Sequence, residues 1–378
     1  MDAAAAARPA GGAAGPTATR GPVRIVGAGL LGASIGMALT RRGVAVALAD
    51  TSPLALAVAE EVGAGARAGR DDPEPALVVV ATPPDVAGGA VAAELAAHPG
   101  AAVTDVASVK SSVLAEVVAA GADLTRYVGS HPMAGRERRG AAAALPDLFV
   151  GRPWVIADSG ASGRAALLAV RDLAVDLGAR AVHLDAAEHD SAVALVSHVP
   201  QVVASVVAAR LAGAPVAALD LAGQGLRDVT RIAASDPVLW GAILMSNAAA
   251  VAPLLREVRA DLDSAIVALD QAAEGGLGGA LTALNRLVAR GNEGVSRVPG
   301  KHGGGHAEWD WLTVLVPDRP GQLGALFTKV GQLGFNLEDV QIEHAGGRPV
   351  GLAALSVARG SGAALAEGLA AAGWRILA

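Results

Sequence analysis

The residue best suited to move a proton is His131, in Ser130-His131-Pro132-Met133-Ala134-Gly135-Arg136-Glu137. Imidazole is the side chain whose ordinary pKa lies near neutrality. An apolar run, Tyr127-Val128-Gly129, precedes it and a proline follows, which predicts a strand ending at His131. On this stretch alone, a histidine capping a turn is the other reading. A second group is cationic: Arg227 and Arg231 are four residues apart and share a face of any helix. Guanidinium suits bidentate recognition of a carboxylate, so the pair, facing a cleft, predicts an anionic substrate unless it is merely solvated. A third group is backbone: Gly27-Ala28-Gly29-Leu30-Leu31-Gly32 has the spacing that brings N–H groups to a pyrophosphate.

These groups need a scaffold, and the first part of the chain reads as one. Val23 to Val26 is a short apolar strand, the glycines follow at once, and Ala33 to Arg42 is a helical run. A second strand, Val44 to Ala49, ends in Asp50, 23 residues after Gly27. A carboxylate there accepts from ribose hydroxyls and repels a 2′-phosphate, which favours NAD over NADP. Further strands at Ala76 to Ala81, Ala101 to Val106 and Tyr127 to Gly129 alternate with helices at Ala87 to Ala97 and Val109 to Ala120. Alternation of this kind predicts a Rossmann-type, doubly wound parallel α/β sheet. Trp154 to Ala157 and Ala181 to Leu184 read as its last strands, with a helix from Gly163 to Leu177 between them. Gly27, Gly29, Leu30, Leu31, Gly32, Asp50, Thr82, Asp105, Ser108 and His131 then line one crevice. Ser108 has a plainer reading as well, because Ser108-Val109-Lys110-Ser111 precedes an apolar run as a helix start does.

From Glu188 the pattern changes to long helices. At about 100° per residue, Ala194, Ser197, His198, Gln201 and Ser205 fall on one narrow stripe of an otherwise apolar helix. The stripe lacks Lys, Glu and Arg, which suggests an enclosed polar cleft, with solvent exposure as the alternative. Asp236 reads as a helix N-cap with Pro237 at the first position, placing Trp240 about one turn inside. Glu257 to Arg290 is helical apart from a glycine hinge at Glu274 to Gly279. Residues 299–308 read as a linker, whose His302 and His306 lack the helix and acid of a metal site. The remainder gives a strand at Trp309 to Val316, the turn Pro317-Asp318-Arg319-Pro320-Gly321, a helix at Gln322 to Leu333, two strands and a closing helix from Ala363.

The expected layout is therefore a disordered tail at 1–21, a nucleotide-binding domain at 22–185, an all-α domain at 186–298, the linker, and a small α+β domain at 309–378. Composition is compatible with this. Of 378 residues 52% are hydrophobic but only 2% aromatic, so alanine and valine must fill the cores. The absence of cysteine excludes a disulfide framework and any thiolate metal site. A net charge near −6 gives no sign of a nucleic-acid or anionic-membrane partner. The apolar runs Ser191 to Ala209 and Val238 to Leu255 contain His, Gln, Asn and Pro, so they read as buried helices rather than membrane spans. The tail has no apolar core and fails as a secretory signal.

Five ordered motifs resemble the prephenate and arogenate dehydrogenases of tyrosine biosynthesis. They are Gly27 to Gly32, Thr104 to Lys110, Ser130 to Glu137, Glu188-His189-Asp190 with Ser197-His198-Val199-Pro200, and Arg227 to Arg231 with Ser235-Asp236-Pro237 and Trp240. The resemblance implies a cytoplasmic homodimer that uses NAD to decarboxylate prephenate oxidatively to 4-hydroxyphenylpyruvate. It implies His131 as base and Ser108 as the group that orients His131 and the nicotinamide. It also places Arg231 on a substrate carboxylate, with Arg227, His198, Glu137 and Trp240 near the substrate. Where some relatives have a second histidine this chain has Gln201, which leaves arogenate open as the alternative substrate. A catalytically idle amino-acid sensor that retains NAD binding is a further alternative. The last domain resembles an ACT module of ferredoxin-like fold, which implies an aromatic amino-acid effector near Asp318, Gly321 and Asn336.

Overall fold

A computed structural model of the chain describes residues 17–135, 138–298, 309–344 and 350–377. Arg136, Glu137, the linker histidines and residues 1–16 lie outside the described residues. The chain divides into two compact units, residues 1–257 and 258–378.

The first unit is organised by an eight-stranded sheet: β1 (Val23–Val26), β2 (Val46–Ala49), β3 (Ala66–Arg67), β4 (Leu77–Val80), β5 (Ala102–Asp105), β6 (Tyr127–Pro132), β7 (Pro153–Asp158) and β8 (Arg180–Asp185). Their order is β3-β2-β1-β4-β5-β6-β7-β8. The chain reverses direction across the sheet between β1 and β4, the switch point at which such sheets open a crevice. β4 is buried at all four positions, as a central strand covered on both faces must be. The sheet is not wholly parallel: β7 runs antiparallel to β6, pairing His131 with Val155 and Pro132 with Trp154. The expected stop at Pro132 is thus one residue later, and His131 is itself a strand residue. Proline is tolerated there because it is the final position of the strand.

Helices α1 (Leu30–Arg41), α2 (Pro53–Glu61), α3 (Pro84–Ala97), α4 (Ser111–Ala119) and α5 (Arg164–Asp176) cover the sheet. One core cluster gathers Ile25, Leu48, Val79, Trp154 and Val170, and another gathers Val78, Val80, Val91, Val103, Val117 and Tyr127. Neighbouring β4 residues thus serve opposite faces, as strand geometry requires. The tail is more ordered than expected: Thr19 is buried and donates from N and Oγ1 to Asp176, both at 2.6 Å.

The run from Glu188 folds as α6 (Ala186–Val193), a π turn (Ala194–His198) and α7 (Val199–Ala209). A π turn adds a residue per turn and shifts the register, so one uniform wheel does not describe the run. Most of the polar stripe nevertheless faces inward, with His198 1% and Gln201 5% exposed while Leu195 is 60% and Val196 64% exposed, but Ser197 is only half-buried and Ser205 is exposed. The run Ala186–Ala209 is long and apolar enough to cross a membrane, but it buries His189, Asp190, His198 and Gln201 within the protein. Then come α8 (Val216–Leu219), α9 (Gln224–Ala233), α10 (Pro237–Ser246) and α11 (Ala248–Ala273), which passes into the second unit.

The second unit holds α12 (Leu277–Ser296), so the glycine break at 274–279 does separate two helices. β9 (Trp309–Pro317), α13 (Gln322–Gln332), β10 (Asp339–His344), β11 (Val350–Ala358), α14 (Gly362–Ala371) and β12 (Arg375–Leu377) follow. The four strands form an antiparallel sheet in the order β10-β11-β9-β12. β12 is an addition to the expected elements; it pairs with β9 and closes a βαββαβ unit.

Candidate active site

The glycine loop is shaped by contact rather than by flexibility. Gly27 has φ +104°, and a Cβ there would overlap the Ala81 carbonyl; one on Gly32 would overlap the carbonyl of Gly27. A Cβ on Gly29 would meet nothing within 4 Å, so open space lies in front of the loop. No side chain caps the start of α1 at Gly29, which leaves its first N–H groups to an anion. Asp50 closes the loop from β2, accepting from Ala28 N–H and Ser52 N–H, both at 2.7 Å. Each carboxylate oxygen keeps another lone pair for a ribose hydroxyl. Thr82, beyond β4, has a buried Oγ1 with no protein partner. An orphaned hydroxyl beside an open glycine loop fits a dinucleotide.

At the end of β6, His131 Nδ1 lies 2.9 Å from His189 Nε2, and His189 Nδ1 lies 2.8 Å from Asp190 Oδ1. A carboxylate only accepts, so His189 Nδ1 carries a proton. With one proton on each ring, His189 Nε2 accepts from His131 Nδ1–H, and His131 Nε2 is left unprotonated. Burial, first of all, pushes the His131 pKa well below its usual 6.5, with the nearby His189, Lys110 and His198 adding to it and Asp190 opposing. An imidazole in that state is a proton acceptor at neutral pH.

Asp190 is held in turn. It accepts from Lys110 N–H and Ser111 N–H, both at 2.8 Å, across 80 and 79 residues of sequence. Burial would raise its pKa, but hydrogen bonds from His189, Ser111 and Lys110 keep it below the usual carboxylate value. It therefore caps α4, which has no side-chain cap of its own. Below it the Lys110 ammonium is ion-paired with Asp105 and donates to Ser130 O at 2.7 Å, while Tyr127 OH donates to Asp105 at 2.7 Å. Burial lowers the Lys110 pKa against the attraction of Asp105, and burial with Asp105 raises that of Tyr127. The strand that carries His131 is thus fastened from beneath.

His198 joins the same network from the helical side. Asn247 Nδ2 donates to Asp190 O at 2.8 Å and to His198 Nδ1 at 3.0 Å. An accepting Nδ1 leaves the His198 proton on Nε2, and burial lowers its pKa, so the ring is a neutral donor. Its ring meets Trp240 edge-to-face at 5.9 Å. Gln201 lies next to Ser235, whose Oγ approaches Gln201 Oε1 at 3.4 Å. Gln201, Ser205, Ser235, Asp236 and Trp240 line a cavity of about 420 Å³.

The expected residues are therefore only partly brought together. His131, His198, Gln201 and Trp240 occupy one connected region, and Asp236 does cap α10, accepting from Val238 N–H at 2.9 Å. Arg227 and Arg231 share α9, but both are exposed and neither lines the cavity, which corrects their expected place in a cleft. Glu137 lies outside the described residues. Ser108 is half-buried, and the nitrogen of His131 that is held, Nδ1, is held by His189 instead. Nor does Ser108 start the helix, since α4 begins at Ser111 with Asp190 on its first N–H groups. His189, Asp190 and Lys110 lie in motifs the sequence singled out, but their parts in this network, and Asn247 altogether, are what sequence reasoning missed; Asp105, expected in the crevice, is instead fully buried against Lys110 and Tyr127. The only signal for the first two was Glu188-His189-Asp190 at a helix start, where Asp185 and Glu188 form a capping box.

In the second unit, Asp318 and Gly321 border a smaller cavity of about 140 Å³ with Arg319, Ile342 and Leu352. Asn336 does not line it; the residue is exposed and its Nδ2 donates to Glu338 at 3.1 Å.

Comparison with known proteins agrees with this layout. The family model for the prephenate dehydrogenase nucleotide-binding domain matches residues 35–183, and that for the prephenate dehydrogenase dimerization domain matches residues 185–282. The probable prephenate dehydrogenase of Streptomyces niveus is 38% identical over 325 residues, covering 84% of this chain and 89% of that protein. Among solved structures, prephenate dehydrogenase from A. aeolicus in complex with hydroxyphenyl propionate and NAD+ has a TM-score of 0.62 at 25% identity, over 72% of this chain and 97% of that one. Synechocystis arogenate dehydrogenase has a TM-score of 0.57 at 26% identity, over 72% and 99%. With its nucleotide-binding crevice, its buried histidine network and a helical dimerisation domain, this chain belongs to the prephenate dehydrogenase family.

Proposed function

We propose that the chain catalyses the NAD-dependent oxidative decarboxylation of prephenate to 4-hydroxyphenylpyruvate, as the homodimer its dimerisation domain serves. The observation that carries this reading is the proton order His131–His189–Asp190, which fixes an unprotonated Nε2 on a half-buried imidazole at the end of β6. Gly27 to Gly32, Asp50 and Thr82 hold the dinucleotide, whose nicotinamide, when bound, supplies the hydride acceptor. His131 Nε2 takes the proton from the ring C4 hydroxyl as hydride leaves C4, and loss of the ring carboxylate as carbon dioxide makes the product aromatic. General-base assistance of this kind contributes roughly 10²–10⁴-fold. Ser108 orients the nicotinamide, His198 Nε2–H donates to the substrate, Gln201 faces its side chain, Arg231 meets a substrate carboxylate, and Arg227, Glu137 and Trp240 border it.

Prephenate is preferred over arogenate because Asp190, the carboxylate on the helix of the polar stripe, already accepts from Lys110, Ser111 and His189 and is committed to ordering the histidines rather than to holding an ammonium group. The deciding assay is NADH formation with prephenate and with arogenate, each with NAD and with NADP. Turnover is expected first with prephenate and NAD, and a protein that binds NAD but turns over neither substrate is a sensor instead.

The βαββαβ module is read as an ACT domain that takes an aromatic amino acid at the Asp318–Gly321 turn, supported by the cavity there. Tyrosine should inhibit the wild-type enzyme, and Asp318→Ala in the full chain should relieve inhibition while basal turnover stays. Inhibition that is unchanged and competitive with prephenate would move the effector to the active site.

A further inference from the structure

Arg139 has no part in the chemistry above. It lies eight residues beyond His131, and its guanidinium is ion-paired with Asp236 at the start of α10. Arg139 is 65% exposed and Asp236 only 11%. Asp236 is engaged on both oxygens: Oδ1 accepts from Val238 N–H at 2.9 Å, and Oδ2 faces Arg139. It is also the one carboxylate among the described residues that line the 420 Å³ cavity beside Gln201, Ser235 and Trp240.

We propose that Arg139 is a specificity-determining residue: by occupying Asp236, it denies a substrate ammonium group the carboxylate that would hold it. This rests on the reading of the cavity as the site of the substrate side chain in a prephenate-type reaction. Prephenate and arogenate differ there at one substituent, a keto oxygen in the first and an ammonium in the second. The amide of Gln201 and the hydroxyls of Ser205 and Ser235 are neutral and can donate to the former or accept from the latter. Charge has to make the distinction, and Arg210, the one cation among the described residues of the lining, is the same in every variant, so a change on removing Arg139 reads Asp236. A carboxylate that is itself mostly shielded from water attracts a cation when unpaired, whereas one shared between a guanidinium and a helix N-terminus attracts it weakly, and the guanidinium repels it.

The test is kcat/KM for both substrates with NAD in the wild type, Arg139→Gln, Arg139→Lys and the double variant Arg139→Gln/Asp236→Asn. Asparagine keeps the N-cap of α10 while removing the charge. For Arg139→Gln, the arogenate-to-prephenate ratio should rise by roughly tenfold or more, a span that one polar substituent in a pocket commands. Lysine should keep the ratio near the wild-type value, and the double variant should return it there. A ratio unchanged in Arg139→Gln, a parallel fall for both substrates, or a gain that survives in the double variant overturns the proposal. NAD titration of each variant establishes that the first unit is folded. A wild-type chain inactive on both substrates overturns the functional reading and this inference with it; an active wild type whose ratio does not move overturns this inference alone.

Discussion

At the end of β6, His131, His189, Asp190 and the N–H groups of Lys110 and Ser111 form a continuous buried chain of hydrogen bonds, whereas Arg227 and Arg231 ride on α9, a helix with no buried residue. The contrast follows from what each region has to do. A base must present one nitrogen in one protonation state, and that is secured by removing alternatives: each neighbour is itself fixed, down to a carboxylate that can only accept. A cation that meets a substrate carboxylate needs reach and charge, which a long exposed side chain supplies. The histidine chain is preorganised, and the arginines of α9 are left near solvent.

The comparison can be broken at either end. The largest effect is expected for His131→Asn, with turnover reduced by roughly 10²–10⁴-fold and NAD affinity nearly unchanged. Wild-type-like turnover would sink the assignment of the base. Asp190→Asn should lower kcat by roughly 10–10³-fold with little change in KM, because an amide can donate to His189 and reverse the proton order that leaves His131 Nε2 unprotonated. If KM rose instead while kcat held, Asp190 would be a substrate contact and not a positioning residue. The depressed pKa of His131 sets a pH test: the base is active when neutral, so kcat should be level through neutrality and fall only on the acid side, well below pH 6.5. The same group binds fewer protons folded than unfolded, so its penalty to stability appears as pH falls below 6.5 and a buried ring has to charge. An acid limb of kcat centred at or above 6.5 would contradict the buried, neutral ring. The smallest effect belongs to the exposed region: Arg231→Ala should raise KM several-fold to roughly tenfold, a charge-assisted contact discounted for exposure, with kcat largely kept. An unchanged KM would mean that the substrate carboxylate is held elsewhere.

Local features were legible in advance. The glycine loop, Asp50 at the end of β2, the alternation of strands and helices and the Asp236-Pro237 cap were each readable because a few adjacent residues set the backbone geometry. The stripe of His198 and Gln201 was legible as an enclosed face, although the π turn that rotates it was not, since nothing in Ala194 to His198 distinguishes i→i+4 from i→i+5 bonding. Ser108 illustrates the limit more sharply. A serine before an apolar run is an ordinary cap, yet the cap of α4 comes from a carboxylate 79 residues away.

By itself the amino-acid sequence determined the nucleotide fold, the place of His131 at a strand end and the family, because strand-turn-helix units and their glycines are dictated by short-range sterics and hydrogen bonding. Only the tertiary structure decided that His189 and not Ser108 holds His131, that Asp190 orders the protons, that α9 leaves its arginines exposed, and that Arg139 faces Asp236. Many carboxylates and cations in the chain could form such pairs, and the choice falls to those that strand order and helix packing bring within about 3 Å, the range of a hydrogen bond.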